Sequence, residues 1–162
     1  MPRSSPKTKR TAKKPRYTSV VRLPALPPDQ FAALRDNIAV NGVLVPILVD
    51  SHGPYRKIID GNYRKQIADE LEYDCPEIVR GGLEEEEKRT MARALNLARR
   101  QFSTEQKREV IAAQLRETPG WSLRRTAKML GVDHKTVADV RDALRGCNPV
   151  VRSEFSAFSR RA

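Results

Sequence analysis

Apolar positions along this chain fall into short runs in the first half and into helical spacing in the second. Val20-Val21-Arg22-Leu23, ended by Pro24, predicts a short strand. Asp29 stands as an N-cap before a helix over Gln30–Val40, which places Phe31, Leu34 and Ile38 on one face. Asn41-Gly42 stops that helix. Leu44–Val49, with Pro46 near its start, predicts a second strand; SHGP at 51–54 reads as a turn, His52 included; Tyr55–Ile59 predicts a third strand. A helix over Asn62–Leu71 turns Ile67, Ala68 and Leu71 inward, and Glu77-Ile78-Val79 is a further strand.

After the break at Gly81-Gly82 the spacing becomes helical throughout. A helix from about Leu83 to Ala98 opens on four consecutive glutamates, Glu84 to Glu87, where the helix dipole favours negative charge, so they read as a helix start rather than a metal site. Ser103 and Gln106 form a capping box for a helix to Arg116, and Pro119-Gly120 ends that segment.

Leu123–Leu130 and His134–Leu144 then flank the turn Gly131-Val132-Asp133. Gly131 supplies the positive φ of a tight bend, Ala127 is small where helices cross, and Ser122 and Asp133 are suited to cap the two helices. Leu130 and Val132 fill the elbow, with Val137, Val140 and Leu144 on the inner face. This is a helix-turn-helix pattern; an ordinary corner between two bundle helices is the alternative. In the DNA-reading version the second helix enters the major groove, which places His134, Lys135, Thr136, Ala138 and Asp139 near base edges. Arg124, Arg125, Lys128 and Arg141 would then meet phosphates. Six Lys or Arg against three Asp over residues 121–145 favour that version.

Charge placement adds to this picture. Of the net +11, residues 1–16 carry +7 with no acid, and residues 145–162 carry +3, leaving a nearly neutral body. Basic tails on a neutral body suit an acidic partner, nucleic acid above all. The polar, basic composition of residues 1–19 predicts a disordered tail. No apolar run reaches the roughly 18–20 residues of a membrane span and the N-terminus has no secretion-signal core, so a soluble, cytoplasmic, nucleoid-associated protein with no membrane partner is expected. Cys75 and Cys147 fit no metal-ligand spacing.

Asp60-Gly61-Asn62-Tyr63-Arg64 joins a strand to a helix start and combines free backbone N–H groups, a glycine and an arginine. Those are parts of an anion site. Taken alone, they fit equally a turn followed by a solvated helix face.

The order of GVLVPILV at Gly42–Val49, DGNYRKQIA at Asp60–Ala68 and Asn96-Leu97-Ala98-Arg99, followed by a helical unit with the helix-turn-helix, resembles the ParB-like partition and regulatory proteins. The likeness covers roughly residues 20–145. It implies a ParB/sulfiredoxin-like first domain that binds CTP with Mg²⁺, a double-stranded DNA partner read as a palindromic site, and a homodimer that closes on DNA. By position, Gly42, Pro46 and Ile47 would fall in the base-cradling segment, Gly61, Asn62 and Arg64 in the phosphate motif, and Asn96 and Arg99 in the third motif. The basic N-terminus resembles, in charge only, the tail by which relatives stimulate a ParA-type ATPase. The chain stops soon after the helix-turn-helix, where longer relatives have a further dimerisation domain.

Departures from the family are specific. Val45, Asn62 and Leu95 stand where segregation members have Gln, Glu and Glu, and Tyr63 stands where they have Arg. Carboxylates hold Mg²⁺ and position water, so their loss points away from nucleotide hydrolysis. Sulfiredoxins place a catalytic Cys where this chain has Asn62, and an amide cannot replace a thiol nucleophile.

The expected architecture is therefore α+β: a basic tail over 1–19, a ParB/sulfiredoxin-like unit over 20–82, a helical unit over 83–145 with the helix-turn-helix at 122–144, and a tail over 146–162. The expected function is sequence-specific DNA binding in plasmid or chromosome partition or in transcription regulation, gated by CTP. A CTP-hydrolysing clamp, a regulator with a degenerate nucleotide pocket, and an adaptor without DNA are the alternatives.

Overall fold

A computed structural model describes residues 16–51 and 55–147 of the chain. Most of the basic N-terminus, His52 and the segment from residue 148 onward lie outside the described residues.

Four strands form one mixed sheet: β1 (Arg16–Ser19), β2 (Ile47–Asp50), β3 (Tyr55–Asp60) and β4 (Glu77–Val79), in the order β1-β3-β2-β4. β2 and β3 pair antiparallel, whereas β1 runs parallel to β3 and β4 parallel to β2. Two of the expected strands start elsewhere. β1 occupies Arg16–Ser19 rather than Val20–Leu23, because Arg16 to Ser19 align with Tyr55 to Ile58 and Val20 makes only the closing N–H bond to Ile58 O. The predicted tail over 1–19 therefore loses its last four residues to the sheet. β2 begins at Ile47, not Leu44: Leu44 and Val45 are 70% and 51% exposed, Pro46 has no N–H to give, and Ile47 N–H donates to Pro76 O.

Helices α1 (Pro28–Asn41) and α2 (Asn62–Glu70) pack together through Ile38, Ile67 and Ala68, with Phe31, Leu34 and Leu71 around them. The predicted cap Asp29 lies inside the first turn of α1; Pro27 takes the cap position without a side-chain bond, and Pro28 fixes the first helical φ. Beneath the sheet's apolar face, Ile47, Val49 and Ile58 form a second cluster with Tyr17 and Cys75. Tyr17 donates to Glu77, which also accepts from Arg56; burial first, then this carboxylate, push the phenol up to about 12.

α3 (Glu85–Arg99), α4 (Thr104–Glu117), α5 (Leu123–Leu130) and α6 (His134–Cys147) complete the chain. Their core is Ile111, Ala112, Leu115, Ala127, Leu130, Val137 and Val140, flanked by Leu97, Leu123, Val132 and Leu144. Both predicted helix starts with serine caps are present: Ser103 and Gln106 close a reciprocal capping box, and Ser122 accepts from Arg125 N–H. Glu84 and Glu87 form a second capping box at the start of α3, which accounts for part of the glutamate run. α6 runs to Cys147, two residues past the predicted boundary at 145.

α3 is shared between the sheet and the helical core. Lys88 reaches Asp50 of β2, while Arg93, 4% exposed, donates to Gln114 and Glu117 of α4. Gln114 in turn donates to Thr90 and Thr118, so this buried polar seam is hydrogen-bonded from both helices. Among the described residues no helix is long and apolar enough to cross a membrane.

Candidate functional site

β3 hands the chain to α2 through Gly61, whose φ of 102° lies in the left-handed region. A Cβ there would stand 2.6 Å from Ile47 Cγ2, so both the backbone angle and the fully buried Ile47 beneath it require glycine. Gly61 caps α2 with no side-chain acceptor, which leaves the first backbone N–H groups of the helix without a side-chain cap.

One turn into α2, Arg64 Nη2 donates to Asp60 Oδ2 at 3.2 Å and to Pro46 O at 3.3 Å. Arg99, the last residue of α3, donates from Nη1 to the same Asp60 oxygen at 2.6 Å. Two guanidiniums from different helices thus converge on one carboxylate that is 9% exposed. Asn62 Nδ2 donates to Ser19 Oγ at 3.0 Å, and Asn96 Nδ2 to Ala92 O of its own helix at 2.8 Å.

The facing wall is the irregular segment 20–26. Leu26 N–H donates to the Tyr63 hydroxyl at 2.9 Å, and Arg100 Nη2 donates to Pro24 O at 3.1 Å. Arg100 also lies over the Phe102 ring at 4.6 Å and the Tyr63 ring at 5.8 Å, and burial pulls its pKa down from the ordinary arginine value. Between this segment and the α2 and α3 arginines is a cavity of about 560 Å³, a size typical of small-molecule sites. Among the described residues, Arg22, Arg64, Arg99 and Arg100 line it against a single acid, Asp60.

Of the residues singled out in the sequence, Gly61, Asn62, Arg64, Asn96 and Arg99 meet at this cavity. Gly42, Pro46 and Ile47 do not line it. Gly42 is the C-cap of α1, Pro46 contributes only its carbonyl to Arg64, and Ile47 is the floor under Gly61. Sequence reasoning missed the wall formed by Val20 to Leu26, together with Tyr63 and Arg100. The adjacent pair Arg99-Arg100 at a helix end was the one available signal; the segment 20–26 has none, because only its tertiary placement makes it a wall.

A second surface is built by α5 and α6. Gly131, at φ 68°, reverses the chain between them, and Asp133 Oδ2 accepts from Lys135 N–H at 2.7 Å at the start of α6. Val137 and Val140 face the core, which leaves His134, Lys135, Thr136 and Asp139 exposed and Ala138 and Arg141 half-buried. Arg124, Arg125 and Lys128 are exposed on α5; Arg125 lies 4.1 Å above the Trp121 ring, and Arg141 pairs with Asp142.

No protein-family model matches the chain, and no curated protein sequence matches it. Among solved structures, the C-terminally truncated chromosome-partitioning protein ParB from Caulobacter crescentus, complexed to the centromeric parS site, superposes with a TM-score of 0.55 at 18% identity. That match covers 76% of this chain and 65% of the ParB chain, so the present sequence spans about two thirds of the relative. A structure of the same protein complexed with CTP-γ-S gives a TM-score of 0.44 at 20% identity, over 90% of this chain and 83% of that one. With its mixed sheet followed by the helical unit, the chain has a ParB-like fold.

Proposed function

We propose that this protein is a ParB-like, sequence-specific DNA-binding protein of plasmid or chromosome partition or of transcription control. The observation that carries the reading is the surface of α5 and α6. As a DNA-reading helix-turn-helix, the pair would set the exposed His134, Lys135 and Thr136 against base edges in the major groove while Arg124, Arg125 and Lys128 meet phosphate. Stacking on Trp121 holds one of those arginines in place before DNA arrives. The ParB with the same fold is complexed with its parS site, which supports the assignment. A homodimer reading a palindromic site accords with the resemblance.

The test begins with selection of a bound duplex from a random-sequence pool. His134→Ala with Lys135→Ala is expected to weaken binding to the selected duplex by at least tenfold, about 1.4 kcal/mol, with a much smaller loss on a scrambled duplex. Equal losses on both would reject α6 as the reading helix.

A second reading concerns the cavity, and four arginines around one acid favour it: the site takes a nucleotide, CTP by the family resemblance, and gates DNA binding. Arg64, Arg99 and the free N–H groups at the start of α2 would hold its phosphates, and Asn62 and Asn96 offer polar edges beside them. The donor set does not fit Mg²⁺ in the same way. That ion is held through one or two carboxylates, and the single lining carboxylate among the described residues, Asp60, is already claimed by two guanidiniums.

A further inference from the structure

Asp60 sits between Arg64 and Arg99 and is nearly buried. Its Oδ2 accepts from Arg99 of α3 and from Arg64 of α2, 9% of the residue is exposed, and it is the one acid of the lining among the described residues. Two observations show that the arrangement is not a closed structural ion pair. Arg99 is 55% exposed, so solvent screens its bond and a competing anion has access to it. Arg64 Nε is buried with no hydrogen-bond partner among the described residues, so this guanidinium has donor capacity that Asp60 and Pro46 leave unused.

An incoming phosphate therefore meets cations whose best-placed donors hold a carboxylate. Mg²⁺ at this place would have to take Asp60 from both arginines and then lie beside their unpaired charges, which electrostatics opposes. Exchange of one anion for another leaves neither guanidinium unpaired, because arginine binds carboxylate and phosphate with the same planar fork, and its cost falls on the displaced Asp60 carboxylate beside the incoming phosphate.

We propose that Asp60 is a built-in anion that competes with ligand phosphate for Arg64 and Arg99, so that the cavity binds a nucleotide's polyphosphate without a divalent metal and at an affinity held down by this carboxylate. The inference rests on the nucleotide reading of the cavity. It makes Asp60 a determinant of affinity, and it gives the Asp60-Gly61 pair two separate roles: glycine opens the helix start, and aspartate keeps the cationic site compact while it is empty.

The experiment is calorimetric titration of the full chain with CTP and with inorganic triphosphate, in EDTA and again in Mg²⁺. Wild type, Asp60→Asn and Arg64→Ala are compared, each with a thermal melt to confirm folding. Asp60→Asn keeps the shape and an acceptor for both guanidiniums while removing the charge; Asp60→Ser serves as the second variant if the asparagine form does not melt cooperatively. The expected result is wild-type binding in EDTA, about tenfold tighter in Asp60→Asn and lost in Arg64→Ala. Binding by the wild type only when Mg²⁺ is present, or an Asp60 variant that binds no tighter than wild type, overturns the anion-exchange inference and leaves the nucleotide reading standing. Absence of binding by wild type and both Asp60 variants under both conditions overturns the nucleotide reading, and the inference with it.

Discussion

Lys88 of α3 and Asp50 of β2 form an ion pair at 2.5 Å with side chains only 4% and 1% exposed, which ties the helix shared with the helical core to the centre of the sheet. The Asp50 carboxylate holds the Lys88 ammonium above its ordinary pKa in spite of burial. Removing one partner leaves a buried charge, so Lys88→Ala is expected to lower stability by about 3 kcal/mol in urea denaturation. The double change Asp50→Leu with Lys88→Met is expected to recover most of that loss. A Lys88→Ala variant within 0.5 kcal/mol of wild type, roughly the scatter of neutral surface changes, would show that the pair does not couple the two units.

Acid pH tests the outer half of the same cluster. Glu85 accepts from Lys57 at 2.5 Å and from Lys88 at 2.9 Å, and these bonds hold its carboxyl at about 2 against an ordinary 4.5. A carboxylate whose pKa is depressed in the folded state contributes stability that is complete above about pH 4.5 and lost as pH falls toward 2. Wild type is thus expected to exceed Glu85→Gln in stability at pH 6, with the two curves converging between pH 4.5 and 2. Parallel curves across that range would remove Glu85 from the cluster.

Two of the glycines with positive φ, Gly61 and Gly131, separate strain from space. Gly61→Ala combines a φ of 102° with a 2.6 Å approach to Ile47 Cγ2 and is expected to cost about 2–3 kcal/mol. Gly131→Ala, at φ 68° with nothing within 4 Å of the new Cβ, carries the backbone term alone, about 1 kcal/mol. Chemical denaturation of both variants gives the comparison, and equal losses would show that Ile47 yields freely to the extra methyl.

Much of the helical half was legible from residues 83 to 145. Ser103 with Gln106, Ser122, Gly131 and the inward set Val137, Val140 and Leu144 are local signals, each complete within a few residues, and the structure holds each in the predicted role. The sheet was less legible. Val20 to Leu23 is as apolar as a strand, yet pairing with β3 takes Arg16 to Ser19 and sends the apolar run to the cavity wall. Leu44 and Val45 belong to the same hydrophobic run as Ile47 and Val49, and only Pro46, with the bond from Ile47 to Pro76, decides where the strand begins.

The sequence by itself determined the serine caps of α4 and α5, the Gly131 turn, the glycine between β3 and α2, and the basic, amphipathic surface of α5 and α6, because capping, positive φ and helical spacing are interactions of near neighbours. Tertiary structure alone decided that Asp60, Arg64 and Arg99 share one carboxylate oxygen and that Tyr63 and Arg100 hold the segment 20–26 over them. Those contacts join residues up to 76 positions apart, and their existence depends on which face of the sheet each helix covers, which no local pattern encodes.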